Sequence, residues 1–296
     1  MINTCYQCYI GPATEFDTAL LAVAGDFAGR RPATHTLLEG PEGAVWLERL
    51  PWDTQVLGVA SARVNVLFTA DADWSFAGAR ALLRRVADEC ERDGIRFCTF
   101  RLRPAAPAVS DALAAEGWLL RDALNVYTVP PAGGAPQPDS TGAAVVRLSA
   151  AELSGRFDEF ATTFRHARIN RDSNISADRA VGFYRALFES VAAKEDGFRV
   201  GVVVDDCLAG FAIGALDTTY RTRLGIELAY LWQIAIQPEY RSRHLSAVLL
   251  AGFLEACPPG HVVELETQFD NIPANRLYTR AGLVLTTNAM TFHRWF

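Results

Sequence analysis

ELAYLWQIAI (Glu227–Ile236), QPEYRSRHLSAVLL (Gln237–Leu250), HVVELETQ (His261–Gln268) and NIPANRLYTRAG (Asn271–Gly282) together decide the fold of this chain. They read as strand, loop and helix, strand, then helix, with polar residues at the joints. A helix that begins just past a strand end presents unsatisfied backbone N–H groups, and that is a ready anion site. Tyr278, on the following helix, would then stand near whatever the anion carries.

Bulk properties narrow the partners. Half of the 296 residues are hydrophobic, enough for a sizeable core, and the net charge is −6 with scattered arginines and a single lysine, Lys194. An acidic chain without a basic block excludes nucleic acid as the main partner but leaves room for a local anion site. No segment reaches 18 uninterrupted apolar residues, so no membrane span is expected. The N-terminus lacks a basic n-region and a long apolar run, so no signal peptide is read. Six cysteines are dispersed, and Cys5-Tyr-Gln-Cys8 has no second pair to complete a zinc site. The expectation is a cytoplasmic protein with reduced thiols and no metal. The oligomeric state is open, with a homodimer as one option.

PPAGGAPQPDSTG (Pro130–Gly142) has linker composition and divides the chain into residues 1–129, a linker 130–142 and residues 143–296. After the linker the pattern predicts a strand at Ala144–Leu148, a helix over Ala150–Phe164 capped by Ser149, and a polar loop at His166–Asp178. A second helix to about Ala193 and strands Phe198–Val204 and Cys207–Leu216 follow, turning at Asp205-Asp206. Before the linker, strands are predicted at Ala44–Leu50, Leu57–Leu67, Ile95–Leu102 and Trp118–Val129. Helices are predicted at Phe76–Glu91 and Ala108–Ala115. The first part reads as a worn copy of the second: aligning Gly117 with Gly282 puts Leu113 opposite Tyr278. Shared strand–helix grammar without common origin is the alternative.

At Arg241-Ser242-Arg243-His244-Leu245-Ser246 the chain resembles the phosphate loop of the GNAT family of acyl-CoA N-acyltransferases, usually [QR]-x-x-G-x-[GA]. Here histidine replaces the first glycine and serine the second small residue. Asn271, Ala274, Tyr278 and Gly282 match the family's N-x-x-A-x-x-x-Y-x-x-x-G segment. The resemblance implies an α/β (α+β) chain of two domains: a degenerate GNAT-like N-terminal half, then a complete GNAT fold with a mixed central sheet. It implies acetyl-CoA as donor, held by the loop from Arg241 and Arg243 through His244, Leu245, Ser246 and Ala247. Main chain near Ile234 and Ile236 would meet the pantetheine, beside Asn271 and Ala274. Tyr278 would be the general acid, since a phenol of pKa about 10 is protonated at neutral pH and can donate to a thiolate. The residues alone leave Tyr278 open to being a core tyrosine, and Asn271 to being a plain helix cap. Strict alternation along the Glu227–Ile236 strand puts Tyr230, Trp232 and Ile234 on one face and Glu227, Ala229, Leu231 and Gln233 on the other. No general base is identified, Glu227 lying at the far end of its strand. The first half has neither the loop nor the tyrosine, so no acyl-CoA is expected there.

WDTQVLGV (Trp52–Val59), DALAAEGWLL (Asp111–Leu120) and the Tyr278 region are also similar to TDP-fucosamine acetyltransferases and other amino-sugar acetyltransferases. That likeness implies a small-molecule amine acceptor, a nucleotide-linked amino sugar or an amino-sugar natural product. Arg168, Asn170, Arg171 and Asp172 are the candidate acceptor contacts, with Trp52 and Asp53 from the first part. The rivals are a GNAT acting on another small-molecule or protein amine, and a non-catalytic acyl-CoA-binding scaffold.

Overall fold

A computed structural model describes residues 29–30, 33–69, 75–102, 107–129, 142–195, 197–216 and 227–296. Cys5, Cys8 and nearly all of the proline-rich linker, residues 130–141, lie outside the described residues. By spatial contact the chain forms two units: Met1–Ala123 with Asn288–Phe296, and Leu124–Thr287. The composition break at 130–142 and the spatial division therefore fall at different places.

In the first unit, β1 (His35–Gly40), β2 (Gly43–Arg49), β3 (Ser61–Thr69) and β4 (Phe97–Leu102) lie side by side, and the end of β11 (Val284–Trp295) pairs with β4. The β3–β4 pair is parallel and the others antiparallel. Helix α2 (Phe76–Arg92) and helix α3 (Pro107–Ala115) bury Leu82, Leu83, Val86, Val109 and Leu113 with Val45, Val64 and Phe100. One expectation is corrected: the predicted strand over Leu57–Leu67 begins only at Ser61. Pro51–Leu57 is instead a helix, α1, with proline in its first turn and Gly58 as a left-handed cap at φ +65°. Proline at a helix start and glycine just past its end favour that outcome.

In the second unit the order is β5 (Leu119–Val129, from Leu124 onward), β10 (Val262–Gln268), β9 (Leu228–Ile236), β8 (Cys207–Leu216), β7 (Gly197–Val204) and β6 (Ala144–Arg147). The β10–β9 pair is parallel and the rest antiparallel, giving the expected mixed sheet. Helices α7 (Leu245–Ala256) and α8 (Ile272–Arg280) pack on one face, where Leu245, Leu249, Phe253 and Tyr278 meet Ala229, Leu231 and Leu265. Helix α6 (Ala177–Ala192) belongs to the opposite face: Phe188 meets Phe211 of β8 at 5.3 Å between ring centroids. The helix predicted over Ala150–Phe164 is broken into α4 (Ala150–Leu153), α5 (Phe157–Phe160) and a 3₁₀ segment, Ala161–His166. Gly155, at φ +79°, interrupts it. Ser149 caps α4 in a reciprocal capping box with Glu152, as its position suggested. Asp205 and Asp206 form the β7–β8 turn at φ +48° and +60°.

The two units repeat one plan. In each, a strand carries one bulged residue, Asn65 in β3 and Trp232 in β9, skipped in the register with its antiparallel neighbour. In each, the parallel ladder stops on the rung just before the bulge, at Val64–Phe100 and Leu231–Leu265. A bulge bends its strand and raises the local twist, so pairing ends there. The last strand of each repeat also crosses over: β5 completes the sheet of the second unit, and β11 that of the first.

Candidate active site

β9 and β10 part company after Leu231–Leu265, although β9 continues to Ile236 and β10 to Gln268. The result is a wedge, closed at that rung and open toward the loop that follows β9. The Gln237 N–H donates to Ala209 O at 2.9 Å, so the backbone groups of Gln237, Ala235 and Gln233 point at β8. Those of Ile234 and Ile236 alternate to the other edge and face the wedge.

The bulge also changes which side chains share a face. Ala229 and Leu231 join the core under α7 and α8, but beyond Trp232 it is Ile234 and Ile236 that pack there. Strict alternation predicted Ile234 opposite Leu231 and Gln233 beside it; the inserted residue reverses both. Gln233 and Ala235 therefore lie on the α5–α6 face. Gln237 lies there too, its Nε2 donating to Glu159 Oε2 at 2.6 Å.

At the open end of the wedge, Pro238–Tyr240 make a single 3₁₀ turn, and α7 starts at Leu245. Ser242 and His244 both hold left-handed backbone, at φ +63° and +59°. His244 thus takes the conformation that glycine would take at this place in the motif, with its side chain exposed and not capping the helix. Among the described residues, the amides of Ser242 through Ser246 find no acceptor. Successive amides in left-handed and helical backbone make a concave anion nest, and the helix dipole adds to it. Arg241 donates to Ile236 O (3.3 Å) and Thr162 Oγ1 (3.1 Å), which pins the loop, while Arg243 lies over the Tyr240 ring at 5.4 Å. Leu245 is buried, and Ser246 and Ala247 are half-buried.

At the closed end sits Tyr278, only 3% exposed. Its ring meets that of Tyr127 edge-on at 5.5 Å, and Tyr127 is the β5 residue paired with Leu265, the last rung of the wedge. Burial and the neighbouring Tyr127 push the Tyr278 phenol well above its ordinary pKa, so it stays protonated. Its hydroxyl makes no hydrogen bond to a described residue, whereas the Tyr127 hydroxyl donates to Asn275 Oδ1 at 2.8 Å.

Asn275 is the residue that sequence reasoning missed. Its Oδ1 also accepts from Asn125 Nδ2 at 2.7 Å, and its Nδ2 donates to the carbonyls of Gln268, Phe269 and Asn271. It fixes the turn from β10 into α8 and the ring that backs Tyr278. Only its place one turn after Asn271 hinted at this; its partners on β5 are some 150 residues away in sequence. Asn271 caps α8, accepting from Ala274 N at 3.4 Å and donating to Thr267 Oγ1 at 3.1 Å. Its side chain is thus occupied within the protein, and Ala274 lies beside the core.

The four acceptor candidates lie on or just after the 3₁₀ turn Arg168–Arg171. Arg171 is neutralised by Asp270, at 2.9 and 2.7 Å to its two carboxylate oxygens. Asp172 is buried, 2% exposed, and accepts from Asn174 N and Nδ2, closing a local turn. Asn170 is exposed and donates to Phe164 O, and Arg168 is half-buried. Trp52 and Asp53 are on α1 of the first unit. Glu227 meets His261 at 3.2 Å.

Residues 164–283 match the family model described as "Acetyltransferase (GNAT) family". These residues are a GNAT acetyltransferase domain. The GNAT domain spans the 3₁₀ segment through α8 and so contains the nest, the wedge and Tyr278. GNAT likeness in the fold extends over nearly the whole chain. A tandem GNAT protein from the clavulanic acid biosynthesis pathway is 18% identical with TM-score 0.58, over 96% of this chain and 90% of that one. A GCN5-related N-acetyltransferase from Sphaerobacter thermophilus is 14% identical with TM-score 0.59, over 93% and 85%. A functionally unknown conserved protein from Staphylococcus epidermidis ATCC 12228 is 9% identical with TM-score 0.59, over 91% and 97%. No curated protein sequence matches the chain. The GNAT match marks the chain as an acyl-CoA-dependent acyltransferase enzyme, with acetyl-CoA the donor the family uses. Among the described residues no cluster suits a metal ion, and no helix is long and apolar enough to cross a membrane.

Proposed function

We propose that this protein moves an acetyl group from acetyl-CoA directly to a primary amine. The observation that carries the reading is the wedge: an anion nest at its open end, a backbone edge of β9 that β10 no longer pairs along its side, and the Tyr127–Tyr278 pair at its closed end. From Ile236 back to Leu231 is roughly 17 Å of strand at about 3.3 Å per residue, room for an extended arm. The nest amides, with Arg243 beside them, receive the pyrophosphate, and main chain at Ile234 and Ile236 meets the pantetheine. The thioester then arrives where the ladder closes.

The neutral amine attacks the carbonyl carbon, forming the C–N bond, and the carbonyl electron pair moves to oxygen. When the carbonyl re-forms, the C–S bond breaks; Tyr278 gives its proton to the departing thiolate, and the nitrogen releases its extra proton to water. No acyl-enzyme is required. Proton donation of this kind is worth roughly 10²–10⁴ in rate.

For the acceptor, the reading is a nucleotide-linked amino sugar or an amino-sugar natural product, worked on in the cytoplasm. The sequence likeness at Trp52–Val59 supports it, as do Arg168 and Asn170 on the turn before α6. Asp172 is left out of the acceptor contacts because its carboxylate is buried in its own turn, and Arg171 contributes less because Asp270 neutralises it. The free thiols of Cys90, Cys98, Cys207 and Cys257 suit a reducing compartment. The test is thiol release from acetyl-CoA across a panel of amino-sugar nucleotides, free amino sugars, polyamines and lysine peptides. Preference for the sugars is expected; preference for polyamines or peptides would overturn the acceptor and leave the donor standing.

A further inference from the structure

Gln233 follows the bulge on β9, two residues beyond the rung where the wedge closes. Both polar atoms of its side chain, Nε2 and Oε1, are buried and have no hydrogen-bond partner among the described residues, and the neighbouring Trp232 Nε1 is in the same state. Its strand partner is Ile213, and the flanking pair Phe211–Ala235 is covered by Phe160 at 4.6 Å between rings. An amide enclosed by apolar neighbours on one side and left unpaired is unfavourable in the free protein, and a catalytic or ligand-binding role is one of the reasons such a group occurs. The position narrows what that partner is. Tyr278 and α7 occupy the other face of the sheet, so a group reaching the closed end of the wedge meets the tyrosine on one face and Gln233 on the other.

We propose that the Gln233 carboxamide holds the acyl end of the donor, Nε2 donating to the thioester carbonyl oxygen and Oε1 accepting from the attacking amine. The amide takes no proton. It stabilises the oxygen as the carbonyl pair moves onto it and aims the nitrogen at the carbon, and the proton balance is as given above. Because neither atom has a partner among the described residues, the amide can turn so that Nε2 faces the carbonyl oxygen and Oε1 the amine. This inference rests on the acetyl-transfer reading.

Gln233→Met tests it, since methionine keeps the length and removes both polar atoms. Calorimetry with acetyl-CoA and with CoA, on wild type and variant, separates the acyl contact from the rest of the donor. The expected result is an acetyl-CoA Kd raised about fivefold or more, with the CoA Kd held within about twofold. The variant is expected to melt at or above the wild-type temperature, because an unpaired buried amide has been replaced by an apolar group of similar shape. Equal loss for the two ligands, no loss for either, or a much lower melting temperature would overturn the proposal. Failure of the wild type to bind CoA at all would instead overturn the reading beneath it.

Discussion

Tyr278 is buried among apolar neighbours and yet carries a hydroxyl that no described side chain uses. Those two facts fit a proton donor kept in its acid form. Tyr278→Phe is expected to lower kcat about tenfold or more with acetyl-CoA affinity nearly unchanged, as stopped-time assays and calorimetry would show. Burial raises the phenol above its ordinary value of 10.0, so the proton is held at every pH below that value. The rate should therefore climb as the acceptor amine deprotonates and show no falling limb from this group below about pH 10; a limb near neutrality would assign the acid to another residue. The motif spacing made Tyr278 legible in the sequence. Asn275 and Tyr127 were not, because their bond joins α8 to a strand far back in the chain, and nothing local signals such a pairing.

Among the elements, the loop into α7 shows why a motif can lose its glycine and keep its shape. His244 sits in left-handed backbone at φ +59°, a conformation that strains a side-chain-bearing residue by roughly 1–2 kcal/mol. The strained geometry is already formed, so the amides already point outward. His244→Gly should leave the acetyl-CoA Kd within about threefold and change stability little, relief of strain being offset by the entropy of glycine. A tenfold tighter Kd would mean that histidine distorts the nest. The strands on either side were read almost to the residue from alternation and turn signals. The bulge at Trp232 was not, because one inserted residue reverses facing without changing composition, and it moved Ile234 into the core and Gln233 out of it. Helix α1 was missed for a similar reason: seven residues between Pro51 and Gly58 are too few to show a helical period.

For the whole molecule, the two-part plan was legible from the repeat, but the exchange of final strands was not, and the composition break at 130–142 does not coincide with the spatial division. Residues Met290–Trp295 pair with Phe97–Leu102 of the first unit, burying His293 and Phe292 there. Deleting residues 288–296 should thus expose the first unit, far away in sequence. Limited proteolysis is expected to cut within 76–123 well before 144–287; even cutting of both, or none, would argue that β11 is dispensable to the first unit. By the same logic residues 1–129 and 143–296, made separately, each lack a strand that completes their sheet.

Donor binding decides the account most directly. Titrating the purified protein with acetyl-CoA by calorimetry should give one site per chain with a micromolar Kd, placed by the nest and wedge of the second unit. No heat of binding, with or without an amine present, would contradict the donor site itself, and two sites per chain would contradict the loss of that site from the first repeat.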